Sequence, residues 1–274
     1  METNTANDHI LELRQLGKVY HTGSASATIL AGIDFAVDQG EFVCVVGPSG
    51  AGKTTLLKCI AGLTESTSGQ TLFEGRPVTG PPRKLAVIFQ DYSRSLLPWM
   101  SVAKNISLPL RKARFPAADR ARVIAEALAD VGLEGRGKLY PWEMSGGMQQ
   151  RAAIARGLAY QPDVLLMDEP FAAVDAQTRI ELEDLVLSMN RRWGMTVVFV
   201  THDIDEAVYL GDRVIVLSGA PAKVARDVVI DLPRERDQLG TKSLPRYSEL
   251  RAEIFELIQA AKRPVTQSLG AVRA

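Results

Sequence analysis

Short, uninterrupted apolar runs recur along the chain: EFVCVVG (41–47), LAVIFQ (85–90), VLLMDEP (164–170), TVVFVTH (196–202) and RVIVLSG (213–219). Runs of this length without alternation are the pattern of strands buried on both faces of a parallel sheet. The N-terminal stretch behaves differently. HILELRQL (9–16) alternates apolar and polar positions, ATILAGIDFAV (27–37) does so in part, and DQG (38–40) supplies a turn. This predicts an antiparallel β N-terminal part.

Between the apolar runs the hydrophobic period lengthens to that of helices. KTTLLKCIAGL (53–63) begins directly after a glycine-rich loop. Residues 117–131 have Pro116 ahead and Gly132 behind, with Ile124, Ala127, Leu128 and Val131 at helical spacing. MQQRAAIARGLAY (148–160) stops before Gln161-Pro162, because the residue before proline resists the helical conformation. AQTRIELEDLVLSMNRRW (176–193) sets Leu182, Leu185, Val186, Met189 and Trp193 on one stripe. Strands separated by helices predict an α/β fold with a wound, mostly parallel sheet. Residues 91–160 are nearly strandless and read as a helical subdomain inserted into a core of 9–90 and 161–230. The remaining 231–274 mixes both charges, contains Pro233 and Pro245, and carries an amphipathic stretch at 249–259. It reads as a tail too short to be a second domain.

Composition narrows the class. A chain of 274 residues, 46% hydrophobic and 23% charged, can bury a substantial core and is not a disordered one. Lys plus Arg and Asp plus Glu number 32 each, so no net charge points to nucleic acid as a partner. Residues 104–156 hold ten basic and five acidic side chains, read as a solvated helix face or as a surface near anionic lipid. Cys44 and Cys59 both lie in apolar runs and are expected to be buried, reduced thiols of a cytosolic protein. No apolar run approaches the roughly 18 residues of a membrane helix. METNTANDHILELRQLG lacks the basic start and apolar stretch of a secretion signal. The expectation is a cytoplasmic protein that meets the membrane through a partner.

The chemistry begins at GPSGAGKT (47–54), which fits the phosphate-loop pattern and has the context that pattern needs, a buried strand before and a helix after. Gly47, Pro48, Ser49, Gly50, Ala51 and Gly52 let backbone N–H groups turn inward as an anion nest at the helix N-terminus, next to Thr55. Lys53 can reach the β- and γ-phosphates, and the Thr54 hydroxyl can bind Mg2+. Asp168 closes a buried strand and can hold Mg2+, while Glu169 is placed to polarise an attacking water. MSGGMQQR (144–151) opens a helix with a serine and two glycines. Alone it reads equally as a glycine-rich helix start or as a second anion site.

GPSGAGKTT, Gln90 closing LAVIFQ, MSGGMQQR, VLLMDEP, AAVDAQTR and THD occur in that order. Over roughly residues 10–220 the chain resembles the ATP-binding subunit of ABC transporters. The resemblance implies a P-loop NTPase core with the inserted helical subdomain of the ABC ATPase type, Mg2+-dependent ATP hydrolysis, and a place at the cytoplasmic face of the membrane. The family's signature reads LSGGQ. Here Met144 and Met148 replace its ends, Ser145, Gly146 and Gly147 are kept, and Gln149 follows. Val174 replaces the leucine usual before the D-loop aspartate.

By the same resemblance Tyr20 matches the aromatic that stacks on adenine, although it also reads as an exposed loop tyrosine. Gln90 matches the glutamine that senses Mg2+ and the attacking water. Asp175 matches the D-loop aspartate and can equally cap the helix after it. His202 matches the switch histidine at the γ-phosphate.

The family arrangement places ATP between the phosphate loop of one copy and the serine-glycine-glycine run of another, so a homodimer is expected. Transmembrane permease subunits, and through them a periplasmic or lipid-anchored solute-binding protein, are the further partners implied. QDYSRSLLPWMSVAKNI (90–106), YPWEMSGGMQQR and IDLPRERD are similar to the importer branch for nitrate, sulfonates and taurine. LLPW (96–99) falls where such subunits touch the permease, or it packs within the helical subdomain. An exporter ATPase and a non-transport ABC ATPase acting on DNA or the ribosome are the alternatives.

Overall fold

In the computed structural model, which describes residues 9–23, 25–91, 95–112 and 115–262, the chain forms two sheets and a helical layer. β1 (His9–Thr22) and β2 (Ala25–Asp38) form an antiparallel pair, with β2 closing through the expected turn at Gly40. β3 (Phe42–Val46) enters the main sheet and leads into α1 (Lys53–Ile60). β4 (Ser68–Phe73) and β5 (Arg76–Pro77) return to the first sheet, which is ordered β2-β1-β4-β5. β6 (Leu85–Ile88) then leads to α2 (Val102–Lys112), α3 (Ala117–Asp130), a 3-10 turn at Pro141–Glu143 and α4 (Gly146–Ala159). After β7 (Val164–Asp168) come α5 (Ala176–Trp193), β8 (Thr196–Val200), α6 (Ile204–Leu210), β9 (Arg213–Leu217), β10 (Val224–Val229) and α7 (Pro245–Lys262). The main sheet runs β10-β9-β3-β8-β7-β6, parallel throughout except for β10.

The buried runs are strands because both faces of this sheet are covered. β3 sends Phe42, Cys44 and Val46 to one face and Val43 and Val45 to the other. β8 divides Val197 and Phe199 from Val198 and Val200, and β9 divides Val214 and Val216 from Ile215 and Leu217. The first face packs on the helical subdomain, α5, α6 and α7. The second packs on α1 and the antiparallel sheet through Leu56, Leu57, Ile60, Leu11, Leu13 and Ile33. Each such side chain contributes about 1.5–3 kcal/mol of burial. Cys44 and Cys59 are free and buried, and burial raises both thiols.

Several boundaries differ from the sequence reading, for physical reasons. α4 starts at Gly146 rather than 148 because the Ser145 hydroxyl accepts from Met148 N at 3.3 Å and caps the helix. In α5, Leu182, Val186 and Met189 are buried as expected and Leu185 is half-buried. Trp193 is exposed at the helix end, where Gly194 turns the chain with φ 60°. α2 escaped the pattern because Pro109 lies inside it. β4 and β10 escaped because most of β10 and half of β4 face outward.

The segment after residue 230 is not a separate appendage. Tyr247, Leu250, Ile254 and Ile258 on α7 are buried in the main core cluster. Arg236 Nη1 donates to the carbonyls of Tyr209 and Gly211, both at 2.8 Å. The apolar stripe is longer than 249–259 because it starts at Tyr247, whose hydroxyl donates to Asp205 O at 3.1 Å. Residues 263–274 of the expected tail and 92–94 of the stretch after Gln90 lie outside the described residues.

Candidate functional site

Parallel strands end at a common edge, and the carboxyl ends of four of them carry the predicted chemistry. β3 runs into residues 47–54, β6 into Gln90, β7 into Asp168 and Glu169, and β8 into Thr201 and His202. The register places Asp168 opposite Val200 and Val45 opposite Val200, so the loops after β3, β7 and β8 are neighbours. Gly50 and Gly52 take φ 78° and 79°, the left-handed region that side chains disfavour. A Cβ on Gly52 would also lie 2.6 Å from Ile29 Cγ2, so the loop rests directly on β2.

Lys53 is 7% exposed, and its ammonium donates to the carbonyls of Gly47 at 3.0 Å and Pro48 at 3.3 Å. Burial lowers its pKa, opposed by the nearby carboxylates of Glu169 and Asp168. Glu169 is the hub of the edge. Its carboxylate accepts from Gln90 Nε2 at 3.3 Å, lies 3.0 Å from His202 Nδ1 and comes within 3.9 Å of Lys53 Nζ. Its backbone has φ 43°, a left-handed conformation at a non-glycine residue, held by its N–H donating to Val200 O at 2.8 Å. Such a conformation costs of the order of 1–3 kcal/mol and persists only where the surrounding structure holds it.

Asp168 is buried at the end of β7, and its pKa is raised by that burial while the Thr54 hydroxyl pulls it down. A hydroxyl and a carboxylate oxygen side by side form a hard-oxygen donor pair that suits Mg2+. Among the described residues no cluster of three His, Cys, Asp or Glu could hold a metal by itself.

The other predicted residues lie elsewhere. Ser145 and Gly146 are exposed at the start of α4. Gly147 sits against α5, where a Cβ would lie 2.5 Å from Thr178 Cγ2. Met148 is partly buried against the main core cluster, and Gln149 Nε2 donates to the carbonyls of Pro141 and Met144 at 2.9 and 3.2 Å. Among the described residues no hydrogen bond joins 145–149 to the phosphate loop. Asp175 does cap α5, accepting from Thr178 N at 2.9 Å and remaining exposed. Tyr20 is on strand β1 rather than in a loop, 40% exposed, with Lys18 Nζ 4.9 Å from its ring centroid.

The LLPW run divides. Leu96 is buried, and Asn105 clamps Leu97 by accepting from its N at 2.8 Å and donating to its carbonyl at 3.1 Å, whereas Trp99 is 68% exposed. Beside this run a groove of about 820 Å3 opens between core residues such as Arg83 and Phe89 and helical-subdomain residues such as Pro109, Arg156 and Tyr160. The sequence reading also missed a polar group next to His202, formed by the buried Thr201 and Glu206 and the half-buried Arg179. No motif or spacing marks it, since its members come from three elements.

A nucleotide-binding α/β fold with a phosphate loop and an acidic strand end is thus defined by geometry. The family model described as ABC transporter matches residues 30–172. The chain is 44% identical over 252 residues to an aliphatic sulfonates import ATP-binding protein of Burkholderia cenocepacia, covering 91% of this chain and 87% of that one. It is 39% identical to a nitrate import ATP-binding protein of Synechococcus elongatus, covering 93% of each. Among solved structures it is similar to a dimeric, post-hydrolysis ATP-binding cassette bound to ADP and Pi. That match has TM-score 0.72 and 31% identity, and covers 80% of this chain and 98% of the other. The chain belongs to the ABC transporter family. Within it, the chain is an ATP-binding subunit and an ATPase. No helix among the described residues is long and apolar enough to cross a membrane.

Proposed function

We propose that this subunit drives an importer for a small solute of the nitrate, sulfonate or taurine class, working as a homodimer bound to permease subunits at the cytoplasmic face of the membrane. The importer reading is supported by relatives named for sulfonate and nitrate import. The dimer reading is supported by a neighbour described as dimeric, and by a phosphate loop and a serine-glycine-glycine helix start that share no hydrogen bond among the described residues. Ser145 and Gly146, exposed at a capped helix N-terminus, and the half-buried Gly147 beside them would complete the site of a second copy, with Met148 and Gln149 setting the shape of that turn. Asp175 would act at the same interface. Trp99 and the adjoining groove are the surface offered to the permease, and a solute-binding protein acts through it.

In this account the backbone N–H groups of 47 and 49–52, with Pro48 shaping the loop and Thr55 beside them, cradle the triphosphate, and Tyr20 stacks on the adenine. Lys53 exchanges its loop carbonyls for phosphate oxygens. Thr54, Asp168 and Gln90 would hold Mg2+, which when bound neutralises charge on the phosphate oxygens. Glu169 accepts the proton of the attacking water, Gln90 and His202 orient its carboxylate, and His202 faces the γ-phosphate. The observation that carries this reading is the convergence of Gln90, His202 and Lys53 on one carboxylate, that of Glu169. Glu169→Gln is expected to bind ATP normally and to hydrolyse it about 10²–10⁴-fold more slowly, the usual worth of a general base. Wild-type turnover in that variant would remove Glu169 from the chemistry.

A further inference from the structure

His202 is 60% exposed at its side chain and borrows its position from the residues around it. On one side Thr201, 1% exposed, donates its hydroxyl to Glu206 Oε2 at 2.5 Å, and the same hydroxyl oxygen accepts from Asp203 N at 3.0 Å. One oxygen therefore ties the residue before His202 to the residue after it. Glu206 is 5% exposed on α6, and the Asp203 carboxylate caps that helix through the N–H groups of Asp205 and Glu206. Arg179, on the first turns of α5, places Nη1 3.2 Å from Asp203 Oδ2 and Nε 3.7 Å from Glu206 Oε1. That Nε is buried without a hydrogen-bond partner. Arg179 is also one helical turn from Asp175, whose carboxylate heads α5.

We propose that Thr201, Glu206 and Arg179 are positioning residues, a clamp built on the buried Thr201–Glu206 bond that fixes the His202 loop against Glu169 and ties it through Arg179 to the helix headed by Asp175. The clamp contacts the residues on either side of His202 rather than the Glu169 carboxylate itself. It acts by holding the 3.0 Å approach of His202 to the Glu169 carboxylate. A buried hydroxyl–carboxylate bond is well suited to this, because breaking it leaves an acceptor unsatisfied in a place water does not reach. The inference rests on the roles given above to His202 and Glu169.

The test uses the full-length protein in Thr201→Val, Glu206→Leu and Arg179→Leu, with Thr201→Ser and Glu206→Gln as conservative partners. Ser and Gln keep a hydroxyl donor and a carbonyl acceptor for the same bond. The expected result is a fall in kcat on the order of 10–100-fold, the scale of a small displacement of catalytic groups, with KM and fluorescent-ATP affinity unchanged. The Ser and Gln variants should restore turnover. Thr201→Val combined with Glu206→Leu should cost less than the sum of the two single losses, since both remove the bond the two residues share.

The chain has three histidines, so the His202 ring proton resonance can be identified by His202→Ala. It should move in Thr201→Val while those of His9 and His21 stay fixed. Unchanged kcat with an unmoved His202 resonance in Thr201→Val overturns the clamp, as do fully additive losses. Should Glu206→Leu fail to fold, Thr201→Val decides alone. Glu169→Gln in the same assay separates the two levels. Wild-type turnover there defeats the catalytic reading itself, whereas loss of turnover there with normal clamp variants defeats only the clamp.

Discussion

Replacing Glu206 with glutamine isolates the electrostatic cost of a carboxylate that the fold buries behind the His202 loop. The side chain is 6% exposed and faces Thr201 from β8's end, Asp203 ahead of its own helix, and Glu183 and Arg179 from α5. Burial is the largest influence and raises its pKa. The Thr201 hydroxyl opposes this, the carboxylates of Asp203 and Glu183 add to it, and Arg179 partly offsets them, leaving it pushed up from 4.5 to about 7. The native state therefore holds a proton that the unfolded chain has released throughout the interval between those values. A raised folded pKa contributes stability that is whole below 4.5 and is lost as pH rises through about 7. The shift corresponds to about 3 kcal/mol.

Glutamine keeps an acceptor for Thr201 and carries no charge, so it should show none of this loss. Reversible urea unfolding of both proteins, without nucleotide, measures the difference at pH 4.5, 6 and 8. The stability of Glu206→Gln relative to the parent should rise steadily across that range, by about 3 kcal/mol in all. A difference that stays constant with pH would mean that Glu206 is ionised in the native protein, and the burial argument would be wrong.

Two further outcomes follow from the same structure. Lys53→Ala should abolish ATP binding in a fluorescent-nucleotide titration, since it removes charge-assisted hydrogen bonds worth about 1.5–3 kcal/mol each; unchanged affinity would contradict the phosphate-loop assignment. Ile254→Ala, at a position with no exposed surface on α7, should lower unfolding stability by about 2–5 kcal/mol. A loss well under 1 kcal/mol would show that α7 is not part of the core.

The parallel sheet was legible because strands covered on both faces must be continuously apolar, and Phe42–Val46, Val164–Asp168 and Thr196–Val200 are buried at every position. The loops at its edge were legible because glycine, lysine and paired acids at fixed spacing answer to phosphate chemistry. The antiparallel edge strand β10 was not. Val224–Val229 buries only Val228, so no periodic signal survives in six residues. α2 was hidden by Pro109, and α7 was underestimated because its anchoring residue, Tyr247, reaches the core by a hydroxyl as well as by its ring. The Thr201–Glu206–Arg179 group could not be read at all. Its members are ordinary polar residues until the fold brings the end of β8, α6 and α5 together. Glu169's left-handed backbone was equally invisible, since it follows from pairing with Val200 rather than from its own preference.

The central claim is that two copies close around ATP, each offering its own phosphate loop to the other's Ser145–Gly147 turn. Sedimentation of Glu169→Gln, alone and with its permease, in Mg2+ with ATP or with ADP measures this directly. The account expects ATP to convert the 29.8 kDa subunit to a dimer, ADP to leave it monomeric, and Ser145→Ala to weaken the ATP-bound pair. A hydrolysis-blocked, ATP-saturated protein that stays monomeric in both settings would contradict it.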